Sequence, residues 1–159
     1  MSPACVARDR TVCDDAIVTT ITRWDVRGVL SEACPDLSGA LAEEDANLEP
    51  GEDRLVYLEI SAAVRQMAAW VKDGKTGYLT PIFGAAERCL LDGDQDAVLL
   101  ILVALFEDLQ NSNITGLPAS AVWEPYLGPV GARAWKAVAD FRDGDARAID
   151  DFMRERGLR

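Results

Sequence analysis

The residues best able to do chemistry in this chain are carboxylates. Glu107 and Asp108 follow the apolar run 97–106 and precede Gln110-Asn111-Ser112-Asn113, so two acids stand beside a group of amides. Paired carboxylates carry out acid–base steps when their environments push their proton affinities apart. A solvated helix end followed by a capped loop accounts for the same residues, and no second motif supports a reaction. Asp92, Asp94 and Asp96 alternate as calcium ligands do, but such a loop needs glycine at its sixth position and glutamate at its twelfth. Counted from Asp92 those positions are Ala97 and Val103, so a helix end followed by a helix start explains the alternation better. Gly74-Lys75-Thr76-Gly77 has the lysine and threonine of a phosphate loop but lacks the spaced upstream glycine, and reads as a turn.

The chain has no histidine. The commonest general base and the commonest metal ligand are therefore missing together, which excludes Ser–His–Asp, Cys–His and His-based metal sites. Cys5, Cys13, Cys34 and Cys89 form no CxxC pair, and their spacing fits neither a zinc site nor a disulfide framework. Reduced thiols in a cytoplasm are the simplest reading. The N-terminus lacks the apolar core of a signal peptide, and the apolar run 97–106 is too short to span a bilayer, which takes about 20 residues. The expectation is a cytoplasmic protein that is not an enzyme and holds no cofactor or metal.

The elements that would carry these residues are helices. At 159 residues, 49% hydrophobic and 27% charged, the chain is large and apolar enough for one globular core. Residues 1–13 show no periodicity and read as a flexible N-terminal arm, leaving 14–159 as a single helical domain. A short helix is expected over 14–24, although the β-branched run 17–21 makes a weak case for a strand. Apolar residues at helical spacing then predict helices over 25–33, 36–48, 53–73 and 77–92, with Pro81 in the first turn of the last. In the 53–73 helix the apolar stripe includes Leu55, Leu58, Ile60, Met67 and Trp70. A helix capped at Asp94 or Asp96 carries the run 97–106, which is apolar all round and so belongs at the centre. A loop over 111–118, a turn capped by Ser120, and helices from Pro129 and Asp145 complete the chain.

Asp73-Gly74, Asp92-Gly93 and Asp143-Gly144 each read as a helix end with glycine in the left-handed conformation. Because Asp94 and Asp145 follow two of them as N-caps, 90–98 and 141–149 look like equivalent elbows between antiparallel helices. The predicted fold class is all-α: a helical bundle or a short HEAT/armadillo-like stack of antiparallel helix pairs.

Charge points to the kind of partner. With 27 acidic residues against 16 basic ones the net charge is −11, which disfavours phosphate backbones and anionic lipid and favours a basic protein. No nucleic acid and no membrane are expected as partners. The acids are also grouped: between Gly28 and Asp53 there is no Lys or Arg, and Glu43, Glu44, Asp45, Glu49, Glu52 and Asp53 lie close together. This stretch is the candidate binding surface, with Glu107 and Asp108 as further acids. Trp123, Tyr126, Trp135 and Phe141 cluster late in the chain, where such rings are core or interface; Trp123 is the candidate anchor for a partner.

Residues 79–141 carry a resemblance. Phe106, Glu107, Leu109 and Gln110 close the apolar helix, and Leu127, Gly128 and Pro129 then introduce a helix containing Trp135. This pattern resembles a small family of all-helical bacterial proteins similar to the immunity proteins of polymorphic toxin systems. The resemblance implies an immunity-type protein that binds and neutralises a cognate bacterial toxin, here through an acidic surface that meets a basic toxin domain. A helical adaptor or scaffold binding a non-toxin protein is the alternative from another class.

Overall fold

The computed structural model describes residues 19–158. The expected arm over 1–13, Cys5, Cys13 and the start of the expected helix over 14–24 lie outside the described residues. The described residues form no strand, and their fold is all-α.

Residues 19–24 are not helical. Ile21 instead makes an isolated parallel bridge to Gly93, with Ile21 N–H donating to the Asp92 carbonyl at 3.0 Å and Asp94 N–H donating to the Ile21 carbonyl at 2.9 Å. Helix α1 follows at Val26–Ala33 and buries Val26 and Leu30. The helix expected over 36–48 breaks into a 3-10 turn at Pro35–Leu37, a short α2 at Ser38–Leu41 and a second 3-10 turn at Glu43–Asn47. Leu37 and Leu41 are buried, but nothing from Glu43 to Asn47 is, so no apolar face is present to hold the segment in longer helical register.

Helix α3 spans Val56–Lys72 and α4 spans Leu79–Asp92. The central helix begins with α5 at Gln95–Leu100, widens into a π-helical stretch at Ile101–Phe106, and ends as α6 at Glu107–Gln110. Asp94 caps it, its Oδ1 accepting from Ala97 N–H at 2.9 Å. The helix is buried among α3, α4 and α9 (Pro129–Arg142), although Val103 reaches solvent, so it is not covered on every side. The expected loop over 111–118 contains a short α7 at Ser112–Thr115, capped by Asn111 Oδ1 accepting from Asn113 N–H. Helix α8 is a single turn at Ala119–Val122 that starts after Pro118 without a Ser120 cap. Helix α10, Ala148–Glu155, packs on α9.

Two of the three expected glycine endings hold. Gly74 and Gly144 have φ of 75° and 110°, and the next residue's N–H reaches back to Trp70 O and Asp140 O respectively. Gly93 does not: at φ −79° and ψ 150° it is extended. The Asp92 carbonyl already receives Ile21 N–H, so a segment distant in sequence closes α4 in place of a left-handed turn. At the other elbow Asp145 does not cap α10, which begins at Ala148; its carboxylate accepts from Arg147 N–H at 3.1 Å. The two elbows are therefore not equivalent.

The Leu127-Gly128-Pro129 sequence has a structural use. Glu87 on α4 points its carboxylate at the start of α9, accepting from Val130 N–H at 2.8 Å and Gly131 N–H at 2.5 Å. A carboxylate there meets both unpaired helix N–H groups and the positive end of the helix dipole. Glycine makes the approach possible: a Cβ on Gly128 would stand 2.6 Å from Glu87 Cδ. Replacing Glu87 by alanine should cost about 2 kcal/mol, the scale of two charge-assisted bonds at a half-buried site. Gly128→Ala should cost about as much by expelling the carboxylate, and the two losses should not add in the double variant. Additive losses in urea melts would show that Glu87 does not hold α9.

Candidate functional site

The acidic stretch is anchored by a charge network that begins on α1. Arg27 donates through Nη1 and Nη2 to Asp45 at 2.9 and 2.7 Å, and through Nη1 to Glu59 at 3.3 Å. Arg54 grips the same Glu59 from the other side, Nε to Oε1 at 2.7 Å and Nη2 to Oε2 at 3.0 Å. Its Nη1 also reaches the Trp24 carbonyl at 3.3 Å. Glu59 lies in the first turn of α3 and is 2% exposed, with both carboxylate oxygens occupied by guanidinium N–H groups. The hydrogen bond from Arg27 holds the Asp45 carboxyl below the usual aspartate range.

Arg27 and Arg54 flank the cation-free stretch in sequence and fold back onto it, so the absence of Lys and Arg within it does not leave every acid unpaired. Asp45 is already engaged. The other five candidates carry no guanidinium: Glu43, Glu49, Glu52 and Asp53 are exposed and Glu44 is half-buried. Glu44 accepts from Asn47 Nδ2 at 3.0 Å, and Glu52 accepts from Glu49 N–H at 2.9 Å, which shapes the turn before α3.

That turn leads straight into exposed apolar residues. Leu55, Tyr57 and Leu58 are 46%, 46% and 47% exposed, whereas Val56 and Ile60 between and beyond them are buried. Leu55 and Leu58 are expected in the apolar stripe of this helix. The structure takes Val56, Glu59, Ile60, Ala63 and Met67 as the inner face instead. Glu59 stands three residues after Val56 and four before Ala63, so the buried face runs through a glutamate. Trp24 is also exposed, with Arg23 over its ring at 4.6 Å.

Glu107 and Asp108 are half-buried at the end of the central helix. Asp108 accepts from Ser61 Oγ at 2.6 Å, and Ser61 lies one turn beyond Tyr57 on the same face of α3. The structure thus brings Asp108 to the helix that follows the acidic turn. Trp123 is elsewhere. It is fully buried and stacks on Phe83 with ring centroids 6.4 Å apart, and Phe83 stacks in turn on Tyr126 at 5.9 Å. The indole is core and offers no surface to a partner, which corrects its reading as an interface anchor.

A cleft of about 480 Å³ opens between α8 and α9. Its polar groups are mostly paired with one another or with close neighbours: Trp135 Nε1 donates to Glu124 Oε1 at 3.1 Å, Gln110 Nε2 donates to the Trp135 carbonyl at 2.8 Å, and Lys136 pairs with Asp140. Among the described residues, no three His, Cys, Asp or Glu side chains group as a metal site, and no helix is long and apolar enough to cross a membrane. Cys34 and Cys89 are free and buried. Burial pushes the Cys89 thiol up to about 12 from an ordinary value near 9. The folded thiol therefore keeps its proton where the unfolded one has lost it, so this group's contribution to stability falls as pH rises between those values. At pH 8 an alkylating reagent should label Cys89 only after denaturation, read by peptide mass spectrometry; rapid labelling of the folded chain would contradict its burial.

A family model described as a domain of unknown function, DUF7674, matches residues 28–143. That span holds the acidic stretch, the first turn of α3, the central helix and α9. No curated protein and no solved structure matches the chain.

Proposed function

We propose that this chain, which belongs to the DUF7674 family, acts by binding another protein through the surface around the start of α3, and that the partner is a toxin it neutralises. The observation that carries the protein-binding reading is the acidic turn Glu49–Asp53 running into exposed Leu55, Tyr57 and Leu58. Apolar side chains with a charged rim are the usual make-up of a protein interface. The cleft beside α9 supplies a weaker case for small-molecule chemistry, because its indole, amide and Lys136 already have partners. Support for a toxin as the partner comes from the resemblance over residues 79–141, and from a negative charge suited to a basic domain.

Co-expression with the product of a toxin-like gene encoded beside this one tests the reading. Growth should be rescued and the two chains should co-purify. Association should slow markedly as salt is raised, because exposed acids steer a cation over distances that ions screen. Rescue by a chain that never contacts the toxin, or catalytic turnover by the chain alone, would overturn the proposal.

A further inference from the structure

Resting on the protein-binding reading, we infer that the first turn of α3 is the docking point, and that its occupant is a basic segment of a partner protein with an apolar face. The apolar side of that segment packs on Leu55, Tyr57 and Leu58, and its cations lie over Glu49, Glu52 and Asp53.

Charge decides the class of occupant. Seven carboxylates lie between Glu43 and Glu59, and the guanidiniums that reach them are Arg27 and Arg54. Both are spent on Asp45 and the buried Glu59, and among the described residues no salt bridge engages Glu49, Glu52 or Asp53. A nucleic acid or an anionic membrane would be repelled by this edge. A second copy meeting it about a two-fold axis would set the same acids against each other, an unfavourable like-charge contact. A cationic partner alone would leave three large side chains wet. Single exposed apolar residues are ordinary, but three large ones within four positions, directly beside the acids, concentrate apolar surface at the first turn of α3.

The patch is also held in place. The Glu59 network ties the start of α3 to α1 through Arg27, to the 3-10 turn Glu43–Asn47 through Asp45, and to Trp24 through Arg54, which directly follows the acidic turn. A surface fixed before contact loses little freedom on binding. It also supplies the aromatic anchor, Tyr57, that Trp123 cannot.

The test uses the full chain, uniformly 15N-labelled, and three synthetic peptides of roughly five helical turns: an amphipathic leucine–lysine peptide, its leucine–glutamate counterpart, and a lysine–serine peptide of equal charge. The leucine–lysine peptide should shift the amides of Trp24, Glu49 and residues 51–58. The lysine–serine peptide should bind at least about tenfold more weakly, and the leucine–glutamate peptide should not bind. The double substitution Tyr57→Ser with Leu58→Ser, at exposed positions, should leave melting nearly unchanged and weaken the leucine–lysine peptide by about tenfold to a hundredfold. Equal binding of the lysine–serine peptide would reduce the site to electrostatics and overturn the inference. So would shifts confined to another face, or self-association that the double substitution abolishes. Failure to rescue from a toxin would sink the toxin reading while leaving this mapping intact. Rescue retained by the double variant, with shifts elsewhere, would sink the docking point alone.

Discussion

Glu59→Ala is expected to lower the free energy of unfolding by about 3 kcal/mol, the lower end of the range for breaking a buried ion pair. Glu59 is the one buried charged residue among those described, and it sits between two guanidiniums. Removing it leaves Arg27 and Arg54 facing each other with Asp45 alone to compensate. Their side chains are 22% and 32% exposed, so solvent relieves part of the repulsion, which is why the low end applies. Glu59→Gln should cost nearly as much, because an amide offers one acceptor and turns its own N–H groups toward cations. Urea melts give the loss directly, and a cycle with Arg54→Met isolates the pair. A loss below about 1 kcal/mol, the level of an exposed pair, would mean the network is solvated and does not fix the acidic turn. A folded Glu59→Ala variant should also bind the leucine–lysine peptide less tightly, since the network presents the patch without touching the partner.

The helices were legible because their signals are local. Val26–Ala33, Val56–Lys72, Leu79–Asp92, the central helix and Pro129–Arg142 each carry an apolar stripe with end signals within a few residues. Gly74 and Gly144 ended their helices as their neighbours suggested. What failed depended on chain from elsewhere. Gly93 reads like the other two glycines, but Ile21 supplies the closing hydrogen bond from some 70 residues away. The segment 36–48 had enough apolar residues to suggest one helix, yet its second half follows Asp45 to Arg27. The acidic stretch was visible as composition. Which of its acids stay unpaired was not, because that depends on two arginines just outside it. Leu55 and Leu58 read as core for a related reason: an apolar count takes Leu as inside and Glu as outside, and here two guanidiniums hold Glu59 inside.

Trp123→Ala is expected to destabilise the chain by about 3–5 kcal/mol and to leave partner affinity unchanged once the folded fraction is taken into account. Both halves follow from the same placement. The indole has no exposed surface, so its loss opens a cavity beneath the turn Glu124–Tyr126 and breaks the stack through Phe83 to Tyr126. The effect lies in the core, so it should appear in melts and not in binding. Trp123→Phe separates the two roles. Phenylalanine keeps a ring against Phe83 and removes the indole N–H, a buried donor without a hydrogen-bond partner among the described residues. The contact area lost and the unpaired donor removed oppose each other at about 1–2 kcal/mol each, so stability should stay within about 1 kcal/mol of the parent. A Trp123→Phe chain of parental stability that binds the co-expressed partner at least tenfold more weakly would put the indole in the interface. The binding surface would then have to include a rearranged α8, and the exposed first turn of α3 would lose its claim to the anchor.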